Sequence, residues 1–351
     1  MRLALTAFLV LAVAAFASDP RLFVLTGDAR LLDDDYTEIW AYPGTIVNYE
    51  FATLTNEGST GNWGPGWGGV VMNNGGITWG VTHNHYGKLV EALYHSGNFG
   101  LIVGIDYDSY TYEPDSGASV ESSEMEFDVA FGNELDIFGD YTDFAIGVGY
   151  ESEDTGDSLE TMYTTLDAGA SVRGHGDGFF NLFPIISLGF ESDKTERTYS
   201  GVTDDWTRTM IAFDIGAGKN FMFAPKTHLI AAVFAGVTNY SYSSSAAGYD
   251  HDSDMYIDLP YFKFGVEQYI GKWLVARAGG QARTTISTVD MGTWTEKEID
   301  TTISTSFGIG LHWDNFMLDA VISDDFVHAG PYMFGGQSNG FLGNIAAVYN
   351  F

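Results

Sequence analysis

Apolar side chains alternate with polar or small ones through most of this chain. Phe99, Leu101, Val103, Ile105 and Tyr107 share one phase; Gly100, Ile102, Gly104, Asp106 and Asp108 share the other. Met125, Phe127, Val129 and Phe131 alternate with Glu124, Glu126, Asp128 and Ala130. Phe144 to Tyr150, Ile211 to Ala217 (with Asp214 on the polar phase) and Ile303 to Leu311 repeat the pattern. A two-residue period marks β-strands with two unlike faces. Many runs exceed the ~5–6 residues of an average strand and reach the ~9–11 that cross a bilayer. Beyond residue 17 no stretch approaches the ~18 apolar residues of a membrane helix; the longest, Leu229 to Val237, is broken by Gly236. In lipid, a chain without such helices pairs its backbone in a closed barrel. The alternation predicts an all-β fold; with the strand length and the export features of both chain ends it predicts a single antiparallel transmembrane β-barrel over residues 45–351, apolar phase toward lipid and polar phase toward a lumen.

The spacing of connectors predicts about fourteen strands, an even number as in bacterial barrels. Counting back from the carboxy-terminus, long connectors are expected at Asp324 to Gly340, Val289 to Glu296, Ser243 to Asp252 and Asp193 to Asp204. Short ones are expected at Trp313 to Asn315, Ile270 to Lys272 and Gly174 to Gly178, with a medium one near Ala224-Pro225 and a longer one at Asn133 to Asp140. Two readings of the first pair remain open. Thr45 to Leu54 and Gly68 to His83 are the first two strands, or Asn73-Asn74-Gly75-Gly76 is a hairpin turn and the earlier segment lies inside. Tyr110, Tyr112, Tyr163, Trp206, Tyr240, Tyr242, Tyr256, Tyr269, Trp273 and Trp313 fall where strands would leave hydrocarbon, the level that suits amphipathic rings.

Both ends of the chain point to export. Arg2, the apolar Leu3 to Ala14 and Ala15-Phe16-Ala17 fit a signal peptide over residues 1–17, with a mature start at Ser18. The final run Phe341, Gly343, Ile345, Ala347, Tyr349, Phe351 alternates to a terminal aromatic; Tyr349 and Phe351 are expected to be read by the barrel-insertion machinery of a Gram-negative outer membrane. Residues 18–44 lack alternation. About a dozen strands or more enclose a lumen that side chains cannot fill, so this segment is expected to plug it, with Leu22, Phe23, Leu25, Leu31, Leu32, Trp40 and Pro43 against the inner wall.

Charge and composition narrow the chemistry. With 15 basic against 47 acidic residues, nucleic acid is excluded as a partner. There is no cysteine, so disulfides, thiol nucleophiles and Cys-ligated metals are excluded. His83-Asn84-His85 would place two imidazoles on one strand face, but no spacing supplies a third metal ligand. Asp250-His251-Asp252-Ser253-Asp254 lacks the glycine and distant glutamate of a calcium loop. His95-Ser96 is the only adjacent Ser/His pair. No enzyme activity, metal or cofactor is expected. Glu267 and Arg277 fall on the polar phase of adjacent strands and are expected to form a lumenal ion pair. Glu124, Glu126, Asp128 and Asp214 are expected to line the lumen with negative charge.

Three stretches resemble a known group. Asp33-Asp34-Asp35, Glu38-Ile39-Trp40 and Tyr42-Pro43-Gly44 resemble the amino-terminal hatch of FadL-like transporters and PorV-like outer-membrane proteins, which carry Asn-Pro-Ala where this chain has Tyr-Pro-Gly. Lys263 to Glu267 with Ala276 to Gly279, and the carboxy-terminal strand, are similar to late strands of such barrels. The resemblance implies a fourteen-stranded, hatch-bearing barrel passing small hydrophobic molecules. The alternatives are a scaffold whose acidic loops hold a surface protein, a cation-preferring diffusion pore, and a secreted soluble β-protein.

Overall fold

In the computed structural model, the structure describes residues 20–32, 35–59, 62–85, 88–112, 120–137, 140–155, 161–175, 182–199, 202–245, 253–322 and 342–351. The expected signal peptide at 1–17, Asp33 and Asp34, the carboxylates at 250 and 252 and the expected 324–340 connector lie outside them.

The described residues form one closed antiparallel barrel of sixteen strands, each paired with its sequence neighbours. The strands are β1 (Phe51–Ser59), β2 (Asn62–Asn74), β3 (Ile77–His85), β4 (Lys88–Ser96), β5 (Phe99–Tyr112), β6 (Val120–Ile137), β7 (Asp140–Thr155), β8 (Thr161–Gly174), β9 (Phe183–Tyr199), β10 (Val202–Ala224), β11 (Thr227–Ser244), β12 (Ser253–Ile270), β13 (Leu274–Asp290), β14 (Thr295–Trp313), β15 (Phe316–Ile322) and β16 (Leu342–Asn350). Pairing of β1 with β16, from Phe51 opposite Asn350 to Asn56 opposite Ile345, closes the ring.

Sixteen strands replace the expected fourteen because residues 51–96 hold four. Asn74 and Ile77 flank a hairpin turn in which Gly75 and Gly76 have φ of 67° and 92°, the positive values a primed turn needs. β2 begins in a glycine-rich run without alternation. Thr45 to Asn48 is not strand: the first strand starts at Phe51, and Pro43–Asn48 forms a 3-10 turn. The non-strand segment therefore runs to residue 50 rather than 44.

Two connectors also differ. Of the expected loop at 193–204, residues 193–199 and 202–204 are strand, with Asp193 opposite Arg208 and Tyr199 opposite Val202. Here threonines and charges alternate on a ribbon wet on both faces, so no apolar phase announces it; Arg208 pairs with Glu191 and Asp193 instead. The Asn133 to Asp140 connector shrinks because β6 continues to Ile137, with Glu134 opposite Asp143 and Asp136 opposite Tyr141. From β5 to β14 the strands run 14 to 23 residues, beyond the ~9–11 that span a bilayer.

The apolar phase faces out. Ile211, Phe213 and Ile215 are 54%, 43% and 48% exposed, while Phe234 on the inner face of β11 is 3% exposed. Trp273 and Trp313 sit exposed at the short-turn rim. Tyr240, Tyr242 and Tyr256, expected at the headgroup level, share the inward phase of Gly236; Arg208 lies 5.4 Å over the Tyr240 ring.

The core lies inside the ring, against the segment 20–50. That segment comprises α1 (Pro20–Leu25), a 3-10 turn at Ala29–Leu31, α2 (Glu38–Ala41) and the turn at Pro43–Asn48. Proline at the start of α1 needs no backbone donor there. Gly27, at φ 61°, ends it with its N–H on the Leu22 carbonyl at 2.8 Å. One cluster joins Leu25, Leu31 and Leu32 to Ile185, Ile230, Ala232 and Phe234 of the wall. A second joins Tyr36, Ile39 and Ile46 to Phe51, Trp67, Val71, Leu93 and Ile102.

The closure admits a direct test in a chain without native cysteine. The pair Thr55→Cys with Ala346→Cys occupies directly opposed positions on β1 and β16 and should oxidise to an intramolecular disulfide seen as a gel shift. Thr55→Cys with Ala347→Cys, on opposite phases, should not. A shift only in the second pair would mean a different register.

Candidate functional site

Backbone-to-backbone contact seats the segment, and glycine permits it. A Cβ on Gly265 would lie 2.7 Å from the Leu25 carbonyl oxygen; one on Gly132 would lie 2.7 Å from the Pro43 nitrogen. Gly100 and Gly279 make the same close approach to Pro43 and to Val24 and Leu25. Wall and segment leave no room there for any side chain.

Among the described residues, four buried polar networks then tie the segment to the wall. In the first, Arg277 of β13 donates from Nε to Glu267 Oε2 on β12 at 2.6 Å, directly across the ladder. Arg21 of α1 reaches the same oxygen at 3.0 Å and Asp35 at 2.7 Å. Arg277 also holds Asp319, which bonds His312. In the second, Arg173 of β8 bonds Glu38 at 2.7 Å and Asp143 at 2.6 Å. Tyr49 donates to the other Glu38 oxygen at 2.6 Å, and the Arg173 guanidinium lies 4.6 Å over the Tyr42 ring. In the third, Asp28 receives a two-pronged contact from Arg30 and a 2.8 Å bond from Lys263 of β12. In the fourth, Glu91 of β4 accepts from His85 at 2.6 Å, Thr82 at 2.7 Å and Trp40 at 3.3 Å.

Burial pushes the Glu38 carboxyl up to about 7, outweighing Arg173 and Tyr49. Burial would raise Asp28 too, but the hydrogen bonds and charges of Arg30 and Lys263 overcome it and hold the carboxyl at about 2. Burial takes the Tyr42 hydroxyl up to about 12.

The residues singled out from the sequence are distributed as follows. Glu267 and Arg277 meet each other, and the segment's Arg21 joins them. Glu126 and Asp128 share Lys88 of β4. Glu124 faces Glu151, Glu153, Asp106 and Asp108, and Asp214 faces Arg30. Leu25 is fully buried and Leu22 packs on the first cluster, whereas Phe23 is 57% exposed and joins neither. Trp40 lies half-buried, its ring 4.0 Å from His85, and Pro43 is buried over the glycine pair. Tyr349 and Phe351 meet edge-on at 5.4 Å, with Phe351 exposed at the barrel rim. His83 and His85 do not share a face: His83 is exposed and His85 is buried between Trp40 and Trp67. Among the described residues no three His, Asp or Glu side chains are placed to hold a metal.

Sequence reasoning missed Arg173, Asp143, Lys88, Lys263 and Glu91. Each carried one usable signal, a charge on the inward phase of a strand, the same signal that marked Glu267 and Arg277.

Two cavities flank the segment. One of about 630 Å³ opens at the short-turn rim between Arg21, Asp35, Tyr49, His312 and Phe351. The other, about 360 Å³, lies over Trp40 and Pro43.

Removing Arg173 leaves Glu38 and Asp143 buried without their cation. Arg173→Gln should destabilise seating by about 3–5 kcal/mol, seen as faster hydrogen exchange at residues 35–50. Unchanged exchange would assign the tie elsewhere. The Glu38 carboxyl titrates at about 7 when seated against 4.5 when free. The seated state therefore binds more protons between those values. This contribution is complete below pH 4.5 and is lost as pH rises through 7. Protection of the segment should fall from pH 5 to pH 8, and Glu38→Gln should flatten that dependence.

No protein-family model matches the chain, and no curated protein matches it. Among solved structures it is similar to the β domain of the Bordetella autotransporter Brka, at 10% identity and TM-score 0.36, covering 73% of this chain and 99% of that one. It is also similar to the alcaligin outer-membrane receptor FauA from Bordetella pertussis, at 10% identity and TM-score 0.37, covering 78% of this chain and 60% of the receptor.

Proposed function

We propose that this chain is a non-enzymatic transport barrel of a Gram-negative outer membrane. Its amino-terminal segment closes the lumen, and small molecules with an apolar body pass when the segment shifts. One observation carries the reading. Residues 20–50 occupy the lumen by apolar clusters and buried ion pairs, with a cavity on each side. Outward apolar residues suit lipid, and the short turns suit a periplasmic rim with the tall hairpins outside. Outer-membrane lipid and the insertion machinery, reading Tyr349 and Phe351, are its proposed partners.

The polar nature of the seat favours a movable closure. Apolar clusters alone would hold the segment as a core. Ion pairs exchange their partners for water when a ligand or partner supplies the difference in affinity between the two states.

A second reading draws on the vestibule above the segment. Asp106, Asp108, Glu124, Glu151 and Glu153 face inward together, and such a field concentrates cations and repels anions. The closed barrel then selects by charge before the segment selects by shape.

In planar bilayers the intact mature protein should show little steady conductance. Deleting residues 18–50 should open steady, cation-preferring steps. Neutralising Glu124, Glu126, Asp128 and Asp214 in that deletion should reduce the preference. Large steady conductance in the intact protein would overturn closure; unchanged selectivity would overturn the charge filter.

A further inference from the structure

The cavity over Trp40 and Pro43 differs from the glycine seats below it. At Gly100, Gly132, Gly265 and Gly279 the segment's backbone fills the space in front of the glycine. Gly147 of β7 and Gly169 of β8 are direct cross-strand neighbours. A Cβ on either would meet nothing nearer than 3.6 Å. Packing of the chain on itself does not require glycine at these two positions. What lies in front of them is the cavity of about 360 Å³, the size at which small-molecule pockets begin.

Its lining has two ends. Trp40, Pro43 and Ala145 make the lower part apolar; Asp128 and Asp167 stand at the upper part. Those two carboxylates converge above Gly149, where a Cβ would clash with both. Lys88 bonds Asp128 at 2.8 Å and also pairs with Glu126. Two carboxylates thus share one ammonium, and among the described residues Asp167, beside them, has no bonded cation. The inward acids farther up add charge of the same sign. A carboxylate ligand would enter against this field; an ammonium would be drawn in and would find Asp167.

We propose that this cavity binds cationic amphiphiles: molecules with one ring or a short hydrocarbon body seated over Trp40 and Pro43, and an ammonium held by Asp167 and Asp128. The proposal rests on the transport reading above and names its substrate class. It departs from a carrier of anionic fatty chains, because two of the fixed charges nearest the apolar floor would repel the head group.

The test uses the full mature chain in nanodiscs and a matched pair of probes, 2-phenylethylamine and 3-phenylpropionate, by titration calorimetry at low salt. The amine should bind and the carboxylate should not, with a preference of ~10-fold or more. Asp167→Asn should weaken the amine by ~10-fold. Gly169→Leu, which fills the cavity, should remove binding, with a retained heat-modifiable gel shift showing a folded barrel. Equal or tighter carboxylate binding would overturn the proposal, as would amine binding untouched by both variants. Uptake into proteoliposomes separates the two readings. Amine binding with this profile but no uptake upholds the site and sinks transport. Uptake that prefers the carboxylate upholds transport and sinks the cationic site.

Discussion

Hydrogen-bonded pairing of Phe51 to Asn56 with Ile345 to Asn350 turns a sixteen-stranded sheet into a ring, leaving no edge. Closure pairs the first strand with the last, so every strand of the ring has a neighbour on both sides. It also creates a difficulty, because a ring of this size encloses more space than inward side chains can fill. Residues 20–50 answer it. Their helical turns satisfy their own backbone locally, so they need no ladder, and they enter where the wall offers glycine.

The way the segment is held bears on what it does. Leu25, Leu31 and Ile39 are fully buried and supply the nonspecific part of the seat. Around them, Arg21, Arg30, Asp28 and Glu38 meet charges presented by the wall. Buried ion pairs add little net stability, because desolvation offsets attraction. Breaking one partner is costly, however, so they define one seated position sharply. A seat that is specific without being greatly stabilised is what the proposed movable closure requires.

The lumen is divided by this arrangement into unlike halves. Below the segment the cavity is lined by both charge signs, Arg21 with Asp35 and Asp319. Above it the small residues Ala145, Gly147 and Gly169 keep the wall thin, and carboxylates dominate.

The alternation at Phe99 to Asp108 or Ile211 to Gly218 was legible without a structure, since period two is a property of neighbouring residues and holds whatever the strand pairs with. The ladder partners Glu267 and Arg277 were legible for the same reason, being joined by a short turn. Strand number was not legible, because β2 opens in the run Asn62 to Gly69, which has no apolar phase to announce a separate strand; the length of β9 and β10 past Asp193 and Asp204 was hidden for the same reason. Phe23 looked like its neighbours Leu22 and Leu25, yet only the rotation of a six-residue helix against a curved wall decides which of them is buried. By itself the sequence determined the β character, the two-faced wall and an unpatterned stretch before the first strand. Only the tertiary structure decided that Arg173 reaches Glu38, that Lys263 reaches Asp28, and that Gly147 and Gly169 line a cavity, because those meetings depend on closure bringing distant strands and the segment into one interior.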